Sequence, residues 1–148
     1  MVDKEDTNAQ DVYTMLSQSG YSDKAIQYFQ DKDKMGVIED ADQVTDLTGP
    51  CGDTMKISMN IEGDRINDAR IQVLGCPGAV ASGCAVVGLA KGMTLDQAKS
   101  IDLDALYGEL EKMPEQKVHC ARLALKTLHK AVEAYQQQQP DRAANEEK

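Results

Sequence analysis

Residues 54–75 read TMKISMNIEGDRINDARIQVLG, and this stretch decides the fold because a turn joins two strand patterns in it. The first half alternates polar residues with apolar ones, which is the period of a half-buried strand, at Met55, Ile57, Met59 and Ile61. The sequence EGD at 62–64 predicts a hairpin turn. The second half returns as another strand, with its pattern clearest at Ile71 and Val73. The stretch therefore predicts a pair of antiparallel strands.

Helical patterns follow the hairpin. Residues 77–92 are small and apolar, open with proline and end at Gly92, which predicts a buried helix. Thr94 is a plausible N-cap for a second helix, and residues 102–113 predict a third, short one. In residues 117–135 apolar side chains recur every three or four positions, which predicts an amphipathic helix of about five turns, with its stripe at Val118, Ala121, Leu125, Leu128, Val132 and Tyr135.

The chain before the hairpin gives weaker signals. Residues 11–20 predict a short helix, and Ser22 is a candidate N-cap for another, with Ala25, Ile26 and Phe29 on one face. Residues 34–48 have weak periodicity, so we predict an irregular segment or a short strand there. Both ends are polar, and we expect disorder in the first nine residues and after Tyr135.

Composition limits the function. A chain of 148 residues with 41% apolar residues is long enough for one domain with a real core. Its net charge of −9 argues against a nucleic-acid partner, which selects a basic surface. No run of eighteen apolar residues occurs and the N-terminus is polar, so we expect neither a membrane span nor a secretory signal, and we predict a cytoplasmic protein.

Four cysteines give the first functional indication: Cys51, Cys76, Cys84 and Cys120. Widely spaced cysteines in a cytosolic chain are more often catalytic or metal-binding than a disulfide framework. Cys84 lies inside the small apolar helix, where a lone cysteine is usually a core residue, although a redox role or a spare ligand stays open.

The hairpin places several of these residues together. It brings the start of its first strand beside the end of its second, so Cys51 and Asp53 should lie next to Cys76. If the long helix packs with its N-terminus at the same edge of the sheet, His119 and Cys120 complete a set of five candidate ligands. Asp53 as a turn cap and His119 as an ordinary helix-start residue are the alternatives.

The donor types point to a definite chemistry. Thiolates are soft ligands that select zinc, copper(I) or iron–sulfur centres. Three thiolates with one carboxylate or imidazole suit a zinc ion or a 2Fe–2S cluster. An Asp53 oxygen is a harder ligand, so we expect a cluster that is held less firmly and transferred more readily. Cys120 lies in the first turn of a helix, where the backbone dipole favours a nucleophilic thiolate.

The chain carries several short motifs in order: YSDKAIQYF at 21–29, CGD at 51–53, GC at 75–76 with GAVAS at 78–82, AKGMTLDQA at 90–98, and HC at 119–120 with LA at 123–124. Together they resemble the IscU/NifU-type scaffolds of iron–sulfur cluster assembly. Each motif alone is weak, whereas the set in this order and spacing is specific. The resemblance covers roughly residues 21–135.

The resemblance implies an α+β fold of the SufE/NifU-like type. In it a three-stranded antiparallel sheet packs against several helices, and the last helix is long. It divides the chain into a partly disordered extension at 1–20, a scaffold domain at 21–135 and a disordered polar tail at 136–148. The histidine before Cys120 is similar to the IscU branch rather than to the zinc-dependent SufU branch.

The resemblance also implies a function. A 2Fe–2S cluster would be built from iron and from persulfide sulfur supplied by a cysteine desulfurase, with a ferredoxin-type reductant, and then passed to acceptor apoproteins. The cluster ligands would be Cys51, Cys76 and Cys120, with Asp53 and His119 as alternates and Cys120 as the persulfide acceptor. We therefore predict a carrier rather than an enzyme. Two alternatives to the 2Fe–2S cluster stay open: a 4Fe–4S cluster on formation of a homodimer, and Zn²⁺ in the isolated protein.

The chain departs from that family at three places. The family's chaperone-recognition peptide Leu-Pro-Pro-Val-Lys is replaced by MPEQK at 113–117, which argues against a dedicated Hsp70 chaperone. The helix predicted after Ser22 ends in QDKDK at 30–34 instead of an NPRN-like sequence. Cys84 stands where serine is usual.

Two rival functions remain open. One is a zinc-loaded sulfurtransferase partner in which Cys120 relays sulfur, and the other is a purely structural zinc domain. A thiol hydrolase is the weakest option, because His119 and Cys120 are adjacent in sequence, a poor geometry for a nucleophile and its base. We expect His129 to be solvated, since it lies off the apolar stripe.

Overall fold

In the computed structural model, residues 4–50, 52–111, 114 and 118–138 are described, with the side chains of 4–10 and 32 left aside. The described elements are six α-helices, three β-strands and a 3-10 turn. In chain order they are α1 (Lys4–Gln18), α2 (Asp23–Phe29), the 3-10 turn (Lys32–Lys34), β1 (Gln43–Thr48), β2 (Thr54–Glu62), β3 (Arg65–Leu74), α3 (Pro77–Ala90), α4 (Leu95–Lys99), α5 (Leu103–Leu110) and α6 (Val118–Gln137).

The three strands form one antiparallel sheet in the order β1-β2-β3. The predicted hairpin is confirmed: β2 pairs with β3 from Glu62 opposite Arg65 to Thr54 opposite Leu74. A register shift at Asn60/Ile61 marks a β-bulge near the turn, which bends the pair. The α+β class with a long last helix is likewise as predicted.

One face of the sheet forms the core. Met55, Ile57 and Met59 have no exposed surface, as their alternation predicts. Burial of one such side chain stabilises a fold by about 1.5–3 kcal/mol. Helix α3 packs on β3, α6 packs on β1, and the two helices contact each other, so they lie side by side on this face. The contact between Cys76 at the start of α3 and Cys120 near the start of α6 shows that both N-termini lie at one end of the sheet.

The other face is partly covered by the segment that follows the 3-10 turn. Met35 forms a parallel bridge to Ile71, and the Gly36 N–H donates to the Ile71 carbonyl at 2.9 Å. The Ile38 N–H donates to the Ser58 hydroxyl at 3.0 Å, and Ser58 is buried. The second strand is therefore buried more fully than its alternating pattern predicts.

Strand β1 settles the weak stretch at 34–48 in favour of a short strand. Its inward positions carry the buried polar residues Gln43 and Thr45 instead of apolar ones. The Gln43 amide N–H donates to the Thr45 hydroxyl at 2.6 Å, while the Gln43 side-chain carbonyl oxygen is buried without a hydrogen-bond partner among the described residues. Because the inner face is polar here, the strand has no hydrophobic period to detect.

The N-terminal helices agree with the sequence in part. Helix α1 begins at Lys4 rather than near residue 11, and it reaches into the first nine residues, for which disorder was expected. Ser22 is the N-cap of α2, since its side chain accepts a hydrogen bond from the Ala25 N–H. Disorder was predicted from residue 136, but α6 continues to Gln137, and residues 139–148 lie outside the described part of the chain. Across the described residues, none of the helices combines the length and apolar character needed to span a membrane.

The expectation that His129 is solvated is wrong. This residue is half-buried, and its Nε2 lies 3.1 Å from the Ile101 carbonyl oxygen, ahead of α5. The contact ties the middle of α6 to the connection between α4 and α5. His129 thus has a structural role between these elements.

Candidate metal centre

Three of the predicted ligands meet at one end of the sheet. Single ligand atoms of Asp53, Cys76 and Cys120 all lie within 4.8 Å of one another. The two Sγ atoms are 3.5 Å apart, and each thiol lies 3.9 Å from Asp53 Oδ2. A sulfur–sulfur distance of about 2.05 Å would mark a disulfide, so these cysteines are a pair of thiols in contact.

Each ligand is placed by the end of an element. Asp53 immediately precedes β2, where the chain turns through Gly52 at φ +87°. Its carbonyl accepts a hydrogen bond from the Gly49 N–H at 2.8 Å, which closes the turn. Cys76 is the N-cap of α3, and Cys120 lies in the first turn of α6. Two helix N-termini therefore meet at the thiols, an arrangement whose dipoles favour negative charge.

Burial differs across the group. Cys120 has no exposed surface, whereas Cys76 and Asp53 are half-buried. The group therefore opens to solvent on the side of the carboxylate and of Cys76. A ligand held there would be shielded on one side and reachable on the other.

His119 lies beside this group. Its Nε2 is 3.5 Å from Cys120 Sγ, yet the histidine does not join the set of mutually close ligand atoms. The prediction from topology is thus confirmed for Cys76 and Cys120 with Asp53, and His119 contacts one member. Cys51 lies outside the described residues.

Cys84 is separate from the group. It has no exposed surface, and its charged neighbours are Asp31 and Lys34 rather than the other thiols. Burial, together with Asp31, raises the pKa of Cys84 to about 12. The prediction that this cysteine is a core residue is confirmed.

Tyr21 is a neighbour of the site that sequence reasoning did not assign to it. This residue is 8% exposed and lies near the backbone of Gly78 in the first turn of α3. Burial, with added repulsion from Cys76 and Cys120, raises the pKa of Tyr21 to about 12. Tyr21 precedes α2, and only the packing of α2 on α3 brings it here, so no local pattern signals it.

A cavity of about 540 Å³ opens on the other face of the sheet. Its lining residues include Met35, Lys56, Gln72 and Leu74, and no cysteine or histidine lies among them. The cavity lining therefore offers no thiol or imidazole ligand to a soft metal, and the candidate metal ligands lie at the group of Asp53, Cys76 and Cys120 instead.

The donor set at the thiols fits a soft metal centre. Two sulfurs and one carboxylate oxygen provide three donors, and four-coordinate zinc and 2Fe–2S clusters both accept such atoms. The neighbouring imidazole of His119 is a donor of intermediate softness. Among the described residues this is the one group of three or more close Cys, His, Asp or Glu ligands.

Comparisons with known proteins follow the same line. A sequence model of the NifU-like N-terminal domain matches residues 20–142. The chain is 40% identical over 116 residues to the iron–sulfur cluster assembly scaffold protein IscU 1 of Archaeoglobus fulgidus, covering 78% of this chain and 76% of that protein. It is 36% identical over 118 residues to the iron–sulfur cluster assembly scaffold protein IscU of Aquifex aeolicus, covering 78% of this chain and 75% of that protein.

Solved structures share the fold at lower identity. The N-terminal part of a NifU-like protein from Brucella abortus superimposes with a TM-score of 0.65 at 14% identity, covering 78% of this chain and 94% of that one. At this identity the likeness establishes the fold alone.

Proposed function

Since this chain belongs to the NifU-like N-terminal domain family, we propose that it is a scaffold on which an iron–sulfur cluster is assembled and from which the cluster passes to acceptor proteins. The observation that carries the proposal is the contact of two thiols and one carboxylate at a half-open end of the sheet. The thiol of Cys120 lies in contact with the half-exposed thiol of Cys76, so a partner would reach the pair from the open side of the group. The protein thus acts as a carrier rather than as an enzyme with a small-molecule substrate.

The proposed cargo is a 2Fe–2S cluster with ligands from Cys76, Cys120 and Asp53. Cys51, two residues before Asp53 in sequence, is the proposed third thiolate. His119 is the proposed alternate to Asp53, because its ring already lies 3.5 Å from Cys120 Sγ. Iron and sulfide are the materials of assembly and leave with the cluster.

Cys120 is the proposed sulfur acceptor. In that step its thiolate attacks the outer sulfur of the desulfurase persulfide, so that Cys120 carries the persulfide and the desulfurase recovers its thiolate. Two electrons from a ferredoxin-type reductant then release the sulfur as sulfide. The position in the first turn of α6 supports the role, since the helix dipole there stabilises a thiolate.

Anaerobic reconstitution with iron, cysteine and a cysteine desulfurase tests the proposal. We expect a reddish protein whose cluster moves to an apo-ferredoxin. Cys76→Ser should abolish the colour, whereas Cys84→Ser should keep it, because Cys84 lies apart from the ligand group. A colourless protein that retains zinc and only accelerates desulfurase turnover would instead establish a sulfur relay.

Replacement of the carboxylate tests how the cargo is released. Asp53→Ala removes the hard oxygen donor and leaves the imidazole of His119 as the neighbouring donor to the cluster. We expect the bound cluster to persist longer than in the wild type, because the ligand that favours release is gone. The measurement is the decay of visible absorbance in the presence of a chelator. An unchanged lifetime would remove Asp53 from the release step.

A further inference from the structure

Gly75 lies directly against the carboxylate of Asp53. The pairing of Thr54 with Leu74 puts the preceding Asp53 opposite Gly75, at the open end of the hairpin. A Cβ atom at position 75 would be 2.7 Å from Asp53 Cγ, 2.9 Å from Oδ1 and 3.1 Å from Cβ. Carbon atoms in contact prefer separations of about 3.5–4.0 Å, so any side chain at position 75 would occupy the space of the carboxylate.

The backbone gives no reason for glycine at this position. The φ angle of Gly75 lies outside the left-handed region, in contrast to Gly52 at +87° and Gly63 at +66°. An alanine could therefore adopt this backbone without strain. The three atoms nearest to the missing Cβ all belong to Asp53, so that side chain is the first group that a Cβ at position 75 would meet.

We propose that Gly75 is a positioning residue for the Asp53 ligand, because its bare Cα lets the carboxylate lie 3.9 Å from both thiols. The inference rests on the proposed function only where it concerns the release of the cluster. The local geometry holds for any metal bound at the three ligands.

The expected response to a side chain at position 75 is a movement of Asp53 rather than of the fold. The Asp53 backbone is held by the Gly49 hydrogen bond and by the start of β2, whereas its carboxylate is the free end of a rotatable side chain. Gly75 is exposed and Asp53 is half-exposed, so a displaced carboxylate turns into solvent. Gly75→Ala should thus remove the carboxylate from the ligand group without changing its chemistry.

Cobalt binding tests this without any need for a cluster. Co²⁺ substitutes for Zn²⁺, and its visible spectrum reports the ligand set. We compare the wild type, Gly75→Ala, Asp53→Ala, and the double variant. A matched control is Gly83→Ala, whose new Cβ would lie 2.7 Å from Ile71 Cδ1 in the core, away from the ligands.

We expect the Co²⁺ spectrum of Gly75→Ala to match that of Asp53→Ala and to differ from the wild type. Zinc affinity should fall on the order of tenfold in both single variants. The double variant should bind no worse than either single one, because both substitutions remove the same ligand. Gly83→Ala should keep the wild-type spectrum and affinity.

Three results would overturn the inference. Gly75→Ala could keep the wild-type spectrum while Asp53→Ala changes it, or Asp53→Ala could itself leave the spectrum unchanged. Should Gly75→Ala fail to fold, the double variant decides: recovery supports the clash with Asp53, and continued unfolding places the clash elsewhere. Absence of a transferable cluster in the wild type would contradict the proposed function and leave the cobalt result standing.

Discussion

Cys84 illustrates how its surroundings decide the chemistry of a single side chain. Its thiol has no exposed surface, and burial, with Asp31 opposed by Lys34, raises its pKa to about 12. A thiol that stays protonated is a poor nucleophile and a poor metal ligand. The same residue type at Cys76 caps a helix and is half-exposed, so it is available for both roles.

We expect iodoacetamide at pH 8 to modify Cys76 in the native protein and to spare Cys84 until the chain unfolds. Peptide mass spectrometry with and without denaturant measures both sites. Because the folded pKa is raised from 9.0 to about 12, the neutral thiol's contribution to stability is complete below about pH 9 and is lost as the pH rises toward 12. Equal labelling of the two cysteines in the native state would contradict this assignment.

At the scale of elements, a polar contact fixes α2 on α5. The Tyr28 hydroxyl donates to the Glu109 carboxylate, and Lys24 Nζ lies 3.4 Å from the same group. The Ser22 hydroxyl donates to the Leu110 carbonyl at the end of α5. Since α2 follows directly on Tyr21, this contact also holds the tyrosine beside the thiols.

Removal of the Tyr28 hydroxyl should therefore change the titration of Glu109. The Tyr28 hydrogen bond lowers the pKa of Glu109, burial opposes the shift, and Lys24 adds to it. We expect Tyr28→Phe to raise this pKa toward its ordinary value of 4.5, measured by NMR titration. Because a depressed pKa stabilises the fold above the ordinary value, the stability lost in Tyr28→Phe should be largest above about pH 5 and vanish in acid.

The matched control for this prediction is Tyr107→Phe, which removes a tyrosine hydroxyl from α5, the helix that carries Glu109. It should leave the Glu109 titration unchanged, because no hydrogen bond joins Tyr107 to that carboxylate among the described contacts. A Glu109 pKa that does not move in Tyr28→Phe would assign the shift to Lys24 instead.

Elements were predictable from sequence where local chemistry alone produced them. The alternation of Met55, Ile57 and Met59 predicted β2, and the capping residue Thr94 marked the start of α4. Strand β1 was not predicted with certainty, because its inward residues Gln43 and Thr45 are polar and leave no hydrophobic period to detect. Its pairing with β2, a tertiary event, makes it a strand.

In the candidate site too, local features could be predicted from the sequence, whereas features that depend on tertiary packing could not. A hairpin brings its two ends together by construction, so the contact of Asp53 with Cys76 could be predicted. The position of Cys120 beside them depended on how α6 packs. It was predicted only on the condition that the N-terminus of α6 lies at the same edge of the sheet. The places of Tyr21 and Gly75 depend on close packing between distant segments, which no pattern in either segment records.

At the scale of the whole molecule, the ligand group joins distant parts of the chain. Asp53 precedes β2, Cys76 is the N-cap of α3 and Cys120 lies in the first turn of α6, and all three elements contribute residues to the core. A metal bound to all three would cross-link the sheet to both central helices. Such binding is absent from the unfolded chain, so its free energy adds to that of folding.

Zinc should accordingly stabilise the entire domain through these ligands. At a free zinc concentration a thousand times the dissociation constant, the gain is about 4.1 kcal/mol, which raises the melting temperature on the order of 10 °C for a chain of this size. Calorimetry with zinc and then with excess chelator measures the shift and its reversal. Cys76→Ser should lose the shift and Cys84→Ser should keep it, because only the former removes a ligand. With a net charge of −9, the surface offers many carboxylates to zinc, and an equal shift in Cys76→Ser would place the metal there instead of at the thiols.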